Sequence, residues 1–485
     1  MGLPTQGSPK DDVLEELASY KADDIAWESG QVMTNVFLAT DEGRRVAEEA
    51  YTMYLWENGL DPTAIASLPR LEREVAAMAS GHLGGDEHVV GSFTSGGTES
   101  CMLAVKTARD RARELQPEIT RPNIVIPVTG HPAFHKGCEY FGVEAIVTPV
   151  DPVTCRADVD ALAAAIDDQT ILVVASACSF PHGSVDPIRE IGAVTVARDV
   201  LFHVDGCIGG FLLPLWREMG ADVTDFDFTV PGVTSMSMDF HKYALCAKGA
   251  SIILYRDAEL RRHQFFTYSD WPGYVVVNST IQSSKSGGPI AAAWATLRHY
   301  GLDGYLGVAG ALRAATERSM EIVASIDGLT IVGAPEISVY AIGSEAVDGE
   351  EVDIFAVAAA MEQRGWHMYP QLGGHGLAAT LHVTLLPWNT DRIEEWGSDL
   401  AASVEQARSA GPADSGLADL VAEIDLEHLS TGEIEGLMDM AGIDAQALGG
   451  DMTEVNHLLD DLPPAVTDRI LRVFLDQLTK GRSRA

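Results

Sequence analysis

The chain has 485 residues, 46% of them apolar, and a formal net charge of −38 at pH 7. That length exceeds one ordinary domain and provides for a large core. The charge argues against nucleic acid or an anionic membrane surface as a partner, and no apolar run approaches the ~20 residues of a membrane span.

The chain opens on MGLPTQGSPKDDVLEELASYKADD, which lacks the basic and apolar regions of a secretory signal. Residues 1–70 are read as an N-terminal helical segment. From 71 to 300, short β-branched runs alternate with helical patterns. NIVIPV from Asn123, EAIVTPV from Glu144, TILVVASA from Thr170, LFHVDG from Leu201, VTSMSM from Val233 and ASIILYR from Ala250 are predicted strands. ESCMLAVKTARDRAREL, HKGCEYFG, DVDALAAAID and DPIREIGAVTVARD are the predicted helices between them. Regular alternation implies an α/β fold, a mainly parallel sheet with helices on both faces. Such sheets bind ligands beyond the carboxyl ends of their strands.

After Gly301 the pattern changes. A long helix over LGVAGALRAATERSMEIVASI, strands LTIVG and ISVYAIG, a helix DIFAVAAAMEQRG and the run LAATLHVTLL predict a smaller α+β domain over 301–410. Residues 411–485 form an acidic helical tail, read as a docking or capping element. The six cysteines stand singly, with no CxxC and no zinc spacing, which indicates free thiols in a reducing cytoplasm and no metal.

The strand exits hold the chemistry. FTSGGTESCMLAVK is a strand exit, a Gly-rich turn and a helix start, an arrangement that cups a phosphate; the plain alternative is a turn with Thr98 as N-cap. His131 follows a strand in VTGHPAFHKG, a position where a lone histidine is more often structural. Asp205 ends the apolar strand LFHVDG, where a carboxylate needs a cation or strong donor unless it merely caps a helix. Lys242 follows VTSMSMDF, and a lysine so placed tends towards a lowered pKa and Schiff-base chemistry, although most single lysines are surface charges. Together the cup, ring-stacking histidine, carboxylate and lysine match what pyridoxal phosphate (pyridoxal 5'-phosphate, PLP) requires.

These segments resemble the pyridoxal-phosphate-dependent group II decarboxylases, and within them the sphingosine-phosphate lyases and their bacterial relatives. The resemblance runs from WENGLDPTAIASLPRLEREVAAMASGHLGG to LHVTLLP and implies the fold-type I transferase fold with a seven-stranded-type sheet. In TSGGTES it assigns Gly97 and Thr98 to the cofactor phosphate; in HPAFHK it assigns His131 to the ring face. In HVDGCIGGF it places Asp205 at the pyridine nitrogen. In DFHKYALCAKG it makes Lys242 the Schiff-base lysine and His241 a phosphate neighbour. SSKSGGPIAAAWATLRHYG resembles a loop that reaches the partner's cofactor, so Ser286 and Gly287 would complete a second subunit's site in a homodimer.

Decarboxylase and lyase share these motifs. SFPHGSVDPI and the second lysine, Lys248, resemble the lyase form, in which Lys248 would hold a substrate phosphate and help keep Lys242 neutral. The expected activity is therefore a retro-aldol cleavage of a phosphorylated β-hydroxy amine, giving an aldehyde and an amine, with Lys242 or Tyr268 as base. The alternatives are an amino-acid α-decarboxylase, which needs an Arg-like grip on a side-chain carboxylate, and a non-catalytic scaffold.

Overall fold

The computed structural model describes residues 2–410, 430–440 and 452–479. Its centre is a seven-stranded sheet of β1 (Val90–Thr94), β2 (Asn123–Pro127), β3 (Glu144–Thr148), β4 (Thr170–Ser176), β5 (Leu201–Asp205), β6 (Ser235–Asp239) and β7 (Ser251–Tyr255). The strands lie in the order β1-β7-β6-β5-β4-β2-β3. β7 pairs antiparallel with both β1 and β6 and runs against the other strands, which are parallel among themselves. β2, β4, β6 and β7 are buried along their whole length. Helices cover both faces, so these strands read as continuous runs and not as alternating ones.

The direction of β7 follows from its connection. Residues 240–250 are too few for a helical crossover, so the chain can only turn back beside β6. His241 N–H donates to the Ala250 carbonyl at 3.0 Å, and Leu245 (φ 61°) and Gly249 (φ 87°) take left-handed backbone in the turn. Both lysines of HKYALCAK therefore lie in one tight return at the sheet's carboxyl edge.

Beyond β7 a short exposed hairpin pairs β8 (Phe266–Tyr268) with β9 (Val276–Asn278). A smaller antiparallel sheet, ordered β10-β11-β13-β12, follows: β10 (Leu329–Val332), β11 (Val339–Ser344), β12 (Tyr369–Gln371) and β13 (Thr380–Thr384). Its helices are Ile354–Gln363 and Ile393–Ala410.

Several boundaries differ from the sequence reading. The long helix runs from Gly287 to Ala324 and takes in most of the segment read as a loop. It breaks at Gly301 (φ 55°), the residue where the pattern changes. Gly287, Gly288 and Pro289 open it, and Pro is tolerated there because first-turn N–H groups have no intrahelical acceptor. The division at 70/71 falls inside helix Ser67–His82. Residues 31–33 exchange backbone hydrogen bonds with His367, and the Asn389 amide donates to the carbonyls of Gly30 and Val32. The N-terminal stretch is thus stitched to the smaller sheet. In the tail, helix Thr453–Asp461 docks on helix Ile354–Gln363 through His457 Nε2 and Asp353 Oδ2, 2.8 Å apart; the PADSG joint lies outside the described residues.

Candidate active site

A polar stripe crosses the carboxyl ends of the two central strands. Side chains two apart on a strand share a face, so His203 and Asp205 on β5 stand beside Ser235, Ser237 and Asp239 on β6. Asp205 Oδ1 accepts from Cys207 N–H at 3.0 Å and from Ser237 Oγ at 3.1 Å. His203 bridges the two serines, Nδ1 2.9 Å from Ser235 Oγ and Nε2 3.3 Å from Ser237 Oγ. Burial lowers its pKa to about 4, so the ring is neutral.

Asp239 is the principal residue that the sequence reading missed. Its Oδ2 lies 3.0 Å from Lys242 Nζ and 3.6 Å from His241 Nε2. Burial raises the Asp239 pKa, but the Lys242 and His241 charges outweigh it and hold the group below its ordinary value. For Lys242 burial lowers the pKa, but the Asp239 carboxylate, with Asp205 adding to it, holds the ammonium above the usual lysine value. This corrects the expectation of a depressed Lys242: the carboxylate three residues upstream keeps it charged.

Lys248 is the depressed lysine. Burial and then the Lys242 charge lower its pKa to about 8. The residue is open to solvent along part of its length, yet its ammonium donates to the backbone carbonyls of Asn35 and His241 and lies 5.3 Å from the Phe37 ring centroid. Among the described residues no carboxylate pairs with it. Asn35 takes a left-handed backbone (φ 63°), and its side chain donates to the Tyr369 hydroxyl at 2.6 Å.

His131 follows β2, its Nδ1 accepting from Ala133 N–H at 3.1 Å. Burial and the Lys242 charge lower its pKa against the pull of Asp205 and Asp239, which leaves a neutral ring. His241 is likewise lowered, by burial first, and its Nδ1 accepts from Ala250 N–H at 3.2 Å. The glycine turn faces this group. A Cβ on Gly97 would come within 2.8 Å of both Asp239 Oδ2 and Cys207 Sγ, whereas one on Gly96 would meet only His241 Cε1, at 3.7 Å. Gly97 begins helix Gly97–Leu115 with Gly96 as its N-cap, so Thr98 is a first-turn residue and not the cap.

The other expected site residues are not at this cluster. Tyr268 is half exposed on the β8–β9 hairpin, its ring stacked on Phe266, because the chain leaves the sheet edge before reaching it. Ser286 caps the long helix and bridges to Asn58, and Gly287 N–H donates to the Glu57 carbonyl at 2.9 Å. A cavity of about 490 Å3 also lies elsewhere, between Glu72, Ser92, Val277 and Lys285. A groove of about 340 Å3 lined by Val36, Phe37, Leu38 and Leu245, with Arg44 and Glu48 also on its wall, reaches Lys248.

Cys101, Asp205 and Cys207 offer ligand atoms within 4.8 Å of one another. Burial raises the Cys101 thiol pKa, and the Cys101 hydrogen bond followed by burial raises that of Cys207, so both keep their protons.

The rim fits pyridoxal phosphate. Thr129 Oγ1, Ser179 Oγ, His182 Nδ1 and Asp239 Oδ1 are buried with no hydrogen-bond partner among the described residues, and they sit past or at the ends of β2, β4 and β6. Buried polar atoms are seldom left unpaired. Beside them stand a helix N-terminus suited to a phosphate, a buried carboxylate and a strand-end lysine.

Residues 72–336 match the model of the pyridoxal-dependent decarboxylase conserved domain, and 415–477 match that of the C-terminal HTH domain of pyridoxal-dependent enzymes. The chain is 40% identical over 367 residues to the sphingosine-1-phosphate lyase of Dictyostelium discoideum, covering 76% of this chain and 68% of that one. Its fold matches the sphingosine-1-phosphate lyase of Burkholderia pseudomallei with a TM-score of 0.80 and 36% identity, over 84% of this chain and 94% of the other. The glutamate decarboxylase of Lactobacillus brevis (TM-score 0.74, 19% identity, 85% and 96% of the two chains) shares the fold. The chain belongs to the pyridoxal-dependent decarboxylase family and is a pyridoxal-phosphate-dependent lyase.

Proposed function

We propose that this enzyme cleaves the carbon–carbon bond between the amine-bearing and hydroxyl-bearing carbons of a phosphorylated β-hydroxy amine, as in sphingosine 1-phosphate, releasing an aldehyde and a phosphorylated amine. The observation that carries this reading is Lys248, a cation in the same turn as Lys242, held by backbone carbonyls and free of any carboxylate among the described residues. It retains its capacity for a substrate anion.

Pyridoxal phosphate supplies the electron sink for the carbanion left when the bond breaks. In this reading Lys242 would hold the cofactor, and Gly96, Gly97 and Thr98 would present helix N-terminal N–H groups to its phosphate beside His241. Asp205, fixed by Cys207 N–H and Ser237 Oγ, pairs with the ring nitrogen. The neutral His131 ring covers one ring face. Asp239 Oδ2 holds the proton on Lys242 Nζ, which makes Lys242 the proton carrier of the cluster in place of Tyr268. The groove at Lys248 gives an apolar chain a path out of the site.

An acidic-amino-acid decarboxylase needs a cation at the side-chain carboxylate. The charged side chains acting on His131, His241 and Lys242 are Asp205, Asp239, Lys242 and Lys248; Arg44, which lines the groove at Lys248, is paired with Glu28 and Asp41. Incubation with phosphorylated amino alcohols, β-hydroxy amino acids and plain amino acids, with aldehyde and carbon dioxide measured in parallel, tests the assignment. Aldehyde from the phosphorylated amino alcohols is expected; carbon dioxide without aldehyde would overturn it.

We further read the active form as a homodimer. Phe266, Tyr268, Trp271, Tyr274, Val275 and Val277 on and around the β8–β9 hairpin are each more than 40% exposed, an apolar patch that a second copy would cover. Sedimentation at working concentration tests this, and a monomer with full activity would contradict it.

A further inference from the structure

Helix Gly97–Leu115 holds more than the phosphate turn. Its third residue, Glu99, is only 7% exposed, and no cation pairs with it among the described residues. Glu99 Oε2 accepts from Ser95 N–H at 2.6 Å and Ser95 Oγ at 2.8 Å, both in the glycine turn. Its other oxygen, Oε1, accepts from Ile281 N–H at 2.9 Å. Two turns along the same helix, Lys106 Nζ donates to the carbonyls of His263 at 2.8 Å, Gln264 at 2.7 Å and Phe265 at 3.1 Å.

Residues 263–265 and 281 are the two feet of the β8–β9 hairpin, and the Gln264 amide donates to the Ser279 carbonyl between them. One helix therefore carries the cup at its N-terminus and grips both feet of the exposed aromatic hairpin. The two grips differ. Lys106 touches no residue of the cup, whereas Glu99 divides its two oxygens between cup and hairpin.

We propose that Glu99 is a positioning residue that couples the Ser95–Thr98 turn to the hairpin foot at Ile281, so that filling the anion cup and fixing the hairpin reinforce each other. An anion bound to the turn fixes its backbone, and with it the Ser95 N–H that aims Glu99 Oε2. A buried carboxylate aimed by one oxygen presents the other in one place, where it holds Ile281 N–H. Coupling of this kind is reciprocal, so an ordered hairpin tightens the cup by the factor by which a filled cup steadies the hairpin. The inference requires pyridoxal phosphate in the cup but no particular substrate or bond cleavage.

The test compares the full-length protein with and without cofactor. Chymotrypsin cleavage at Phe266, Tyr268 and Tyr274, and hydrogen exchange at the Ile281 amide, report on the hairpin. Cofactor is expected to slow wild-type cleavage by about fivefold or more and to slow exchange at Ile281. In Glu99→Gln the side-chain NH2 cannot accept, so the protection ratio falls towards one and the cofactor Kd weakens by a similar factor. Lys106→Met, a purely structural lesion, is expected to raise cleavage in both states and leave the ratio unchanged. A Glu99→Gln protein that binds cofactor and keeps the wild-type ratio would overturn the proposal. If that variant does not fold, wild-type Ile281 exchange that ignores cofactor overturns it equally. Neither result bears on the aldehyde assay, so this inference and the assigned reaction fail independently.

Discussion

Lys242 Nζ and Asp239 Oδ2 stand 3.0 Å apart at the carboxyl edge of the sheet, with Asp239 buried and its second oxygen without a hydrogen-bond partner among the described residues. The pair keeps the lysine protonated before the cofactor is attached, and attachment must therefore release that proton. Because the Lys242 pKa is raised on folding, the pair's contribution is fully present below the unfolded lysine value, about 10.4, and is lost as pH rises through the folded value. Asp239→Asn is expected to destabilise the cofactor-free protein by about 3–5 kcal/mol, measured by urea unfolding near pH 7. An unchanged midpoint would show that the pair contributes nothing.

Lys242→Ala removes the attachment point. The variant is expected to keep wild-type far-UV circular dichroism while losing the visible absorbance of covalently held cofactor after dialysis. Turnover surviving in that variant would move the attachment to another residue.

Lys248→Met removes the second cation without removing its stem. A charge-assisted contact is worth about 1.5–3 kcal/mol, which corresponds to a roughly 10–100-fold rise in KM for a phosphorylated substrate, with kcat changed much less. Lys248 is charged below its depressed pKa of about 8. The wild-type KM is therefore expected to rise as pH passes from 7 to 9, and the variant's KM to show no such step. Parallel pH profiles for the two proteins would remove Lys248 from the substrate site.

Ser237→Ala breaks the link between Asp205 and His203. It costs one donor to a buried carboxylate, and kcat is expected to fall with little change in KM. Asp205→Asn, which removes the charge itself, is expected to lower kcat by about 100- to 1,000-fold. Steady-state kinetics on the two variants checks the order: a Ser237→Ala protein as impaired as Asp205→Asn would mean that the serine acts directly.

Much of this arrangement is legible in the sequence because each chemical residue follows a strand. The runs at Asn123, Thr170, Leu201 and Val233 place His131, Asp205 and Lys242 on one sheet edge once the βα alternation is recognised. The stripe beneath was legible too: in SMSMD the polar residues fall at every second position, the period of a strand face, which sets Ser235, Ser237 and Asp239 together. In sequence the run reads only as a strand leading to Lys242, with no role for its polar face. The pairing of residues 31–33 with His367 depends on contacts across more than 300 residues, which no local pattern encodes. The expectation of a lowered Lys242 pKa fails because Asp239 shares its pocket, while Lys248 is lowered first by burial and then by the Lys242 charge, neither of which the sequence displays.

The central claim is a lyase that recognises its substrate through a phosphate at Lys248. Its most direct test is kcat/KM for aldehyde release from one β-hydroxy amine in phosphorylated and unphosphorylated forms, on wild type and on Lys248→Met. A wild-type preference for the phosphorylated form of about tenfold or more, largely abolished in the variant, is the expected result. Equal rates on both forms by the wild-type enzyme, or carbon dioxide in place of aldehyde, would contradict it.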